Sequence, residues 1–144
     1  MPTRAINFTP LNGLTNDIVS ELHNFAADTF SVRLVTEVVT AATATNATLT
    51  EVTGANYTAG GIVQTTSVTG TEPNLVLESS TTNLWSENAS GFTNAASAVV
   101  YNDTSGRILT FADIRDGVTP VSSAAKDVQV NFENGTDILS LGVA

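Results

Sequence analysis

At 144 residues with a formal charge of −9, the chain is long enough for one domain with a real core. Its only cations are Arg4, Arg33, Arg107, Arg115 and Lys126. Nucleic-acid binding draws on clustered Lys and Arg that release counterions from phosphate, so these scattered cations argue against DNA or RNA, and equally against an anionic membrane surface. There is no cysteine, hence no disulfide or thiolate site, and charged residues make up 13% against the usual ~25%. Thr, Asn and Ser carry the polar surface instead, and abundant threonine favours strands through its branched Cβ.

The first segment, residues 1–14, reads as an extended arm. Pro2 and Pro10 block regular structure, Asn12-Gly13 is a turn signal, and Ile6, Phe8 and Leu11 are apolar and need cover. Three readings fit: a strap on the chain's own domain, an arm docked on a neighbouring subunit, or a disordered terminus. No apolar stretch of signal-peptide or membrane-span length occurs, which implies synthesis and retention in a cytoplasm.

Residues 15–25, TNDIVSELHNF, carry the helical spacing Ile18, Leu22, Phe25, with Thr15 or Asn16 as cap and Asp17 suited to the helix N-terminus. Everything after it reads as strand and turn. Residues 29–35 alternate, with Phe30, Val32 and Leu34 on one side and Ser31 and Arg33 on the other. Residues 36–48 are poor in large side chains and read as a long loop with a weak strand near Val38. A short edge strand is expected at 49–52, and strands at 62–69 and 75–78. Leu84-Trp85 follows.

The centre of the chain is residues 95–117. Two strand-forming runs, 97–101 and 107–114, flank Asn102-Asp103-Thr104-Ser105-Gly106, a polar segment rich in residues that tolerate positive φ or bond their own backbone. In the second run Ile108, Thr110, Ala112 and Ile114 alternate with Leu109, Phe111 and Asp113, so a central strand covered on both faces is expected. Residues 118–121 carry Pro120 and suit an edge. Residues 127–132 alternate with Val128, Val130 and Phe132 inward, and Asn134-Gly135 predicts a hairpin into 137–141. The predicted fold is mainly β: a two-sheet antiparallel β-sandwich over 15–144 with one short N-terminal helix and the arm.

Chemistry is sparse. His23 is the only histidine and falls on the predicted helix, where a surface or boundary position outweighs a role as general base. No Gly-x-Ser-x-Gly turn, phosphate-binding glycine loop or EF-hand pattern is present, so neither catalytic nor metal residues nor a cofactor are assigned. Trp85, Tyr57 and Tyr101 could line a sugar-binding face, but in a chain with few large apolar residues a core position is favoured.

A resemblance extends the reading. Residues 84–117, with Trp85, Phe92, Ala95 to Asn102, Arg107-Ile108-Leu109 and Asp113, resemble small tailed-bacteriophage virion proteins, in which a Trp-containing strand leads into an apolar strand ending in Tyr-Asn. FAADTFSVRL at 25–34, the loop Ala44-Thr45-Asn46-Ala47, NYTAGG at 56–61 and the closing strands of 128–141 are similar too. The segment Ile114-Arg115-Asp116-Gly117 departs from the pattern, which often carries an aromatic or glycine pair there.

The resemblance implies a capsid decoration or cement protein, not an enzyme, and brings no catalytic residues. Such a protein is expected on the capsid exterior of the virion after synthesis in the bacterial host cytoplasm. Its implied partners are the major capsid protein and its own copies in a homotrimer. Arg4, Ile6, Phe8 and Leu11 of the arm and Asn102, Asp103 and Arg107 of the hairpin are the expected interface residues. A host-glycan-binding or tail accessory virion protein is the alternative.

Overall fold

A computed structural model describes residues 8–71, 74–132 and 136–141. Among the described residues the chain is mainly β, with one short helix and strands paired into three antiparallel sheets. In chain order the elements are β1 (Thr9–Pro10), α1 (Leu14–Val19), β2 (Phe30–Val35), β3 (Ile62–Val63), β4 (Thr66–Thr71), β5 (Asn74–Ser79), β6 (Asn83–Trp85), β7 (Ser97–Asn102), β8 (Arg107–Asp113), β9 (Val128–Val130) and β10 (Asp137–Leu141). The five-stranded sheet runs β1-β8-β7-β2-β3, a second runs β10-β5-β4, and β6 pairs with β9.

The hairpin β7–β8 is the centre of the large sheet, as its two-sided apolar pattern implies. One face contributes Phe30, Val32, Leu34, Ala98, Val100 and Leu109 to a core shared with Leu77, Ile138 and Leu139 of the second sheet and Trp85, Val128 and Val130 of the third. The other face contributes Val35, Val99 and Ile108 to a smaller cluster closed by Leu11 and Val39. The 36–48 stretch is indeed a loop, and it acts as the lid of that second face. Val39 sinks into the cluster and its N–H donates to the buried Ser97 Oγ at 2.9 Å.

Strict alternation along β8 fails at one point. The register shifts between Val100↔Thr110 and Tyr101↔Ile108, leaving Leu109 as an extra residue. A bulge of this kind moves following side chains to the opposite face. Ile108 therefore joins the smaller cluster instead of the face of Thr110 and Ala112, and Leu109 enters the main core.

Several expected boundaries change. The helix spans six residues rather than 15–25, and Gly13, not Thr15 or Asn16, occupies the N-cap position. Glu21 sits at φ +56°, and the Leu22 N–H reaches back to the Asp17 carbonyl at 2.9 Å, so the chain turns out of the helix. That turn lets Phe25 stack on Phe30 at the start of β2, with centroids 6.2 Å apart, a contact a continued helix would carry away. The 62–69 run divides into β3 and β4, which belong to different sheets. Residues 49–52 contribute only the bridge Val35↔Glu51, and 118–121 only isolated bridges. β9 and β10 do not pair as a hairpin: β9 joins β6 and β10 joins β5, while the Asn134-Gly135 turn lies outside the described residues.

A buried polar node sits where the sheets meet. Gln64, between β3 and β4, donates through Nε2 to Asn83 Oδ1 at 2.7 Å and to the Ile62 carbonyl at 2.8 Å. It accepts the Ser79 hydroxyl at 2.7 Å on Oε1. Asn83 belongs to β6 and Ser79 to β5, and all three residues are buried. Polar groups in such a place must be fully bonded to be tolerated, and Gln is the residue with both donor and acceptor to serve them.

Candidate functional site at the hairpin turn

The turn between β7 and β8 is built by Asn102. Its Oδ1 accepts the Thr104 and Ser105 backbone N–H groups at 2.9 and 3.1 Å, and Gly106 closes the turn at φ +73°. This is the Asx geometry that Asn favours over other residues. Asp103 projects beyond it and accepts Arg33 Nη2 at 2.7 Å and Ser31 Oγ at 2.9 Å, tying the turn to β2. The Arg33 guanidinium lies 3.9 Å over the Tyr101 ring, a cation–π ledge beside the turn. Both side chains of the Arg33–Asp103 pair are about a quarter exposed, so the ledge is anchored yet open to solvent.

Next to the ledge is a shallow groove of about 210 Å³, walled by Arg33, Tyr101, Leu49, Glu51 and Gly106 among others. Small-molecule sites run to roughly 300–1,000 Å³, so the groove suits a protruding side chain of a partner better than a bound metabolite. Glu51 on its rim is already committed: it accepts the Tyr57 hydroxyl at 2.7 Å and the Gly60 N–H at 2.9 Å. Burial, reinforced by the bond to Glu51, pushes the Tyr57 phenol far above its ordinary range.

The expected interface residues divide. Arg4 and Ile6 lie outside the described residues. Phe8 is half-buried with its ring 5.0 Å from Phe132, and Thr9–Pro10 pairs with β8. Leu11 is buried and donates its N–H to the Leu109 carbonyl at 3.1 Å, so from Phe8 onward the segment is a strap on its own sheet. Asn102 is likewise buried and spent on internal bonds. Asp103 and Arg107 remain at the surface of the turn, Asp103 exposed and Arg107 half-buried.

Arg33 and Tyr101 join this surface although the pattern of β2 marked Arg33 only as an outward polar residue. The signal that unites them is the antiparallel register Ser31↔Tyr101, which sequence periodicity does not contain. His23 is also misplaced by the longer predicted helix: it is buried beneath the turn, against Asn102 and Phe25. Trp85 is a core residue, stacked on Tyr57 and edge-on to Phe92, whereas Tyr101 stands half-buried on the ledge under Arg33.

The chain matches no protein-family model, no curated protein and no solved structure. Among the described residues, no group of three or more His, Cys, Asp or Glu could hold a metal ion, and no helix is long and apolar enough to cross a membrane.

Proposed function

We propose that this protein is a structural component of a tailed-phage virion, a decoration or cement protein on the outer capsid surface that bridges major capsid subunits. The observation that carries it is the braced turn: Asp103, Arg33, Ser31 and Tyr101 form a rigid, partly exposed contact end of the central hairpin. A cement protein needs pre-ordered contact surfaces, because weak individual contacts multiply only when their geometry is fixed. The charge of −9 supports an exterior position, since packaged DNA would repel such a chain. The virion resemblance of residues 25–141 supports the same assignment.

In this proposal the large sheet forms one layer of a sandwich and the two smaller sheets the other, the arrangement to which the shared core points. The protein acts as a homotrimer without enzymatic activity, and residues before Phe8, including Arg4 and Ile6, reach the capsid partner. Quantifying copies in purified particles tests the assignment. Copy numbers matching a repeating capsid site, and rebinding of purified protein to stripped capsids, are expected. A few copies confined to the tail or portal would overturn it.

A further inference from the structure

His23 lies between the end of α1, the loop leading into β2, and the β7–β8 turn, with its side chain wholly enclosed. Its neighbours define its protonation. Because Asn102 Oδ1 is committed to two backbone N–H groups, the amide nitrogen of Asn102 must face inward. That nitrogen has two hydrogens: one goes to Asp28 Oδ2 at 2.7 Å, the other to His23 Nδ1 at 2.9 Å. An amide nitrogen only donates, so Nδ1 accepts and the ring proton resides on Nε2. Nε2 looks toward Asp17 Oδ2 at 3.8 Å, beyond hydrogen-bond length, and both atoms are buried without a partner.

A second proton can enter only at Nδ1, where it would meet the Asn102 amide donor against donor. The charged ring would find its gain at the opposite edge, where the unpartnered Asp17 oxygen waits. We propose that His23 is a proton-operated latch: when protonated it leaves Asn102 for Asp17, and the amide that organises the β7–β8 turn loses one of its two inward partners, keeping only Asp28. The groups facing it are Asp17 from α1, Asp28 from the loop before β2, and Arg107 from β8, with the Phe25 ring stacked alongside. Burial is the dominant influence and holds His23 below its ordinary 6.5, with Arg107 acting in the same sense and the two carboxylates opposing.

The sign follows. A histidine with a folded-state pKa below its unfolded value contributes stability that is complete above 6.5 and is lost as pH falls through the lowered value. The latch is therefore closed at neutral pH and opens as pH falls through the lowered value. Its opening loosens the same turn that carries Asp103, whose backbone N–H also bonds the Thr29 carbonyl at 2.8 Å.

Nuclear magnetic resonance of the full chain tests this directly, because the one histidine gives unambiguous ring signals. At neutral pH the ring should be the Nε2–H tautomer. On acidification it should titrate below 6.5, and the Thr104 and Ser105 amides and the Asn102 side-chain amide should shift with the same midpoint. Exchange protection of the two turn amides should fall roughly fivefold, the factor carried by one net hydrogen bond. The β9 amides serve as an internal control and should stay flat. In His23→Phe the turn amides should lose this transition; if that variant does not fold, the wild-type titration decides alone. An Nδ1–H tautomer, turn amides indifferent to the ring's titration, or a ring that stays neutral until acid unfolding would each overturn the latch.

Discussion

Replacing Gln64 by Leu, whose side chain is apolar and one atom shorter, removes every polar contact Gln64 makes in the node that joins the three sheets. Asn83 Oδ1 loses its donor and the Ser79 hydroxyl loses its acceptor, both on residues no more than 2% exposed. An orphaned buried polar group costs about 1–3 kcal/mol, so two of them place the loss at about 2–6 kcal/mol. The apolar gain of a leucine offsets only part of this, since the space is lined by amide and hydroxyl groups. With a urea m-value of roughly 2 kcal/mol/M, the unfolding midpoint should drop by about 1–3 M. A double-mutant cycle isolates the cause. Once Ser79→Ala has removed the hydroxyl, Gln64→Leu should cost about 1–3 kcal/mol less than it does in the wild-type background. A single-mutant loss below about 1 kcal/mol, or an additive cycle, would show that the node is not what holds the sheets in register.

Gly61→Ala should be among the most damaging single-methyl additions: φ is +70° and an added Cβ would fall 2.0 Å from the Val32 carbonyl oxygen. A loss of at least about 2 kcal/mol in thermal or urea unfolding is expected, and a neutral result would contradict the described path of that turn. Asp103→Ala removes a partly exposed ion pair worth about 1 kcal/mol or less and takes the acceptor from the buried Ser31 hydroxyl, worth about 1–3 kcal/mol more. Capsid attachment should nevertheless weaken in a rebinding assay, and full occupancy would remove the turn from the proposed interface. Tyr57, its phenol raised by burial and Glu51, contributes stability present below pH 10 that is lost as pH rises toward its folded-state value. The further loss of stability as pH rises above 10 should therefore be smaller in Tyr57→Phe, whose stability at neutral pH should be about 1–3 kcal/mol lower. Fluorescence of the sole tryptophan should be blue-shifted and poorly quenched by iodide, and an exposed spectrum would refute the Trp85 core position.

The parts of the fold that alternation and turn chemistry determine locally were legible. The β7–β8 hairpin, the inward set Phe30, Val32 and Leu34, and the buried Val128, Val130 and Phe132 all follow from residue type and spacing. What was not legible depends on pairing between distant segments. β9 and β10 carry a good hairpin signal between them yet are claimed by β6 and β5, a choice made by the packed core and invisible in a local window. The helix was over-extended because Leu22 and Phe25 fit its period, whereas the positive φ at Glu21 serves the contact of Phe25 with Phe30. For the candidate site, Asn102 and Asp103 announced a turn by their type. Arg33, Tyr101 and His23 came to it only through register and burial.

The strand order of the large sheet also sets a timetable. β1 leaves the ribosome well before its partner residues Thr110 and Phe111, which emerge about a hundred positions later, and β2 similarly waits for β7. On a ribosome adding ~5–20 residues per second, Leu11 and the apolar face of β2 have no cover for several seconds. Over that interval the nascent chain depends on its many Thr, Asn and Ser residues and its negative charge to keep those faces from meeting other chains. The central hairpin is thus also the clock of assembly: until it emerges, the β1 and β2 edges it pairs with stay open.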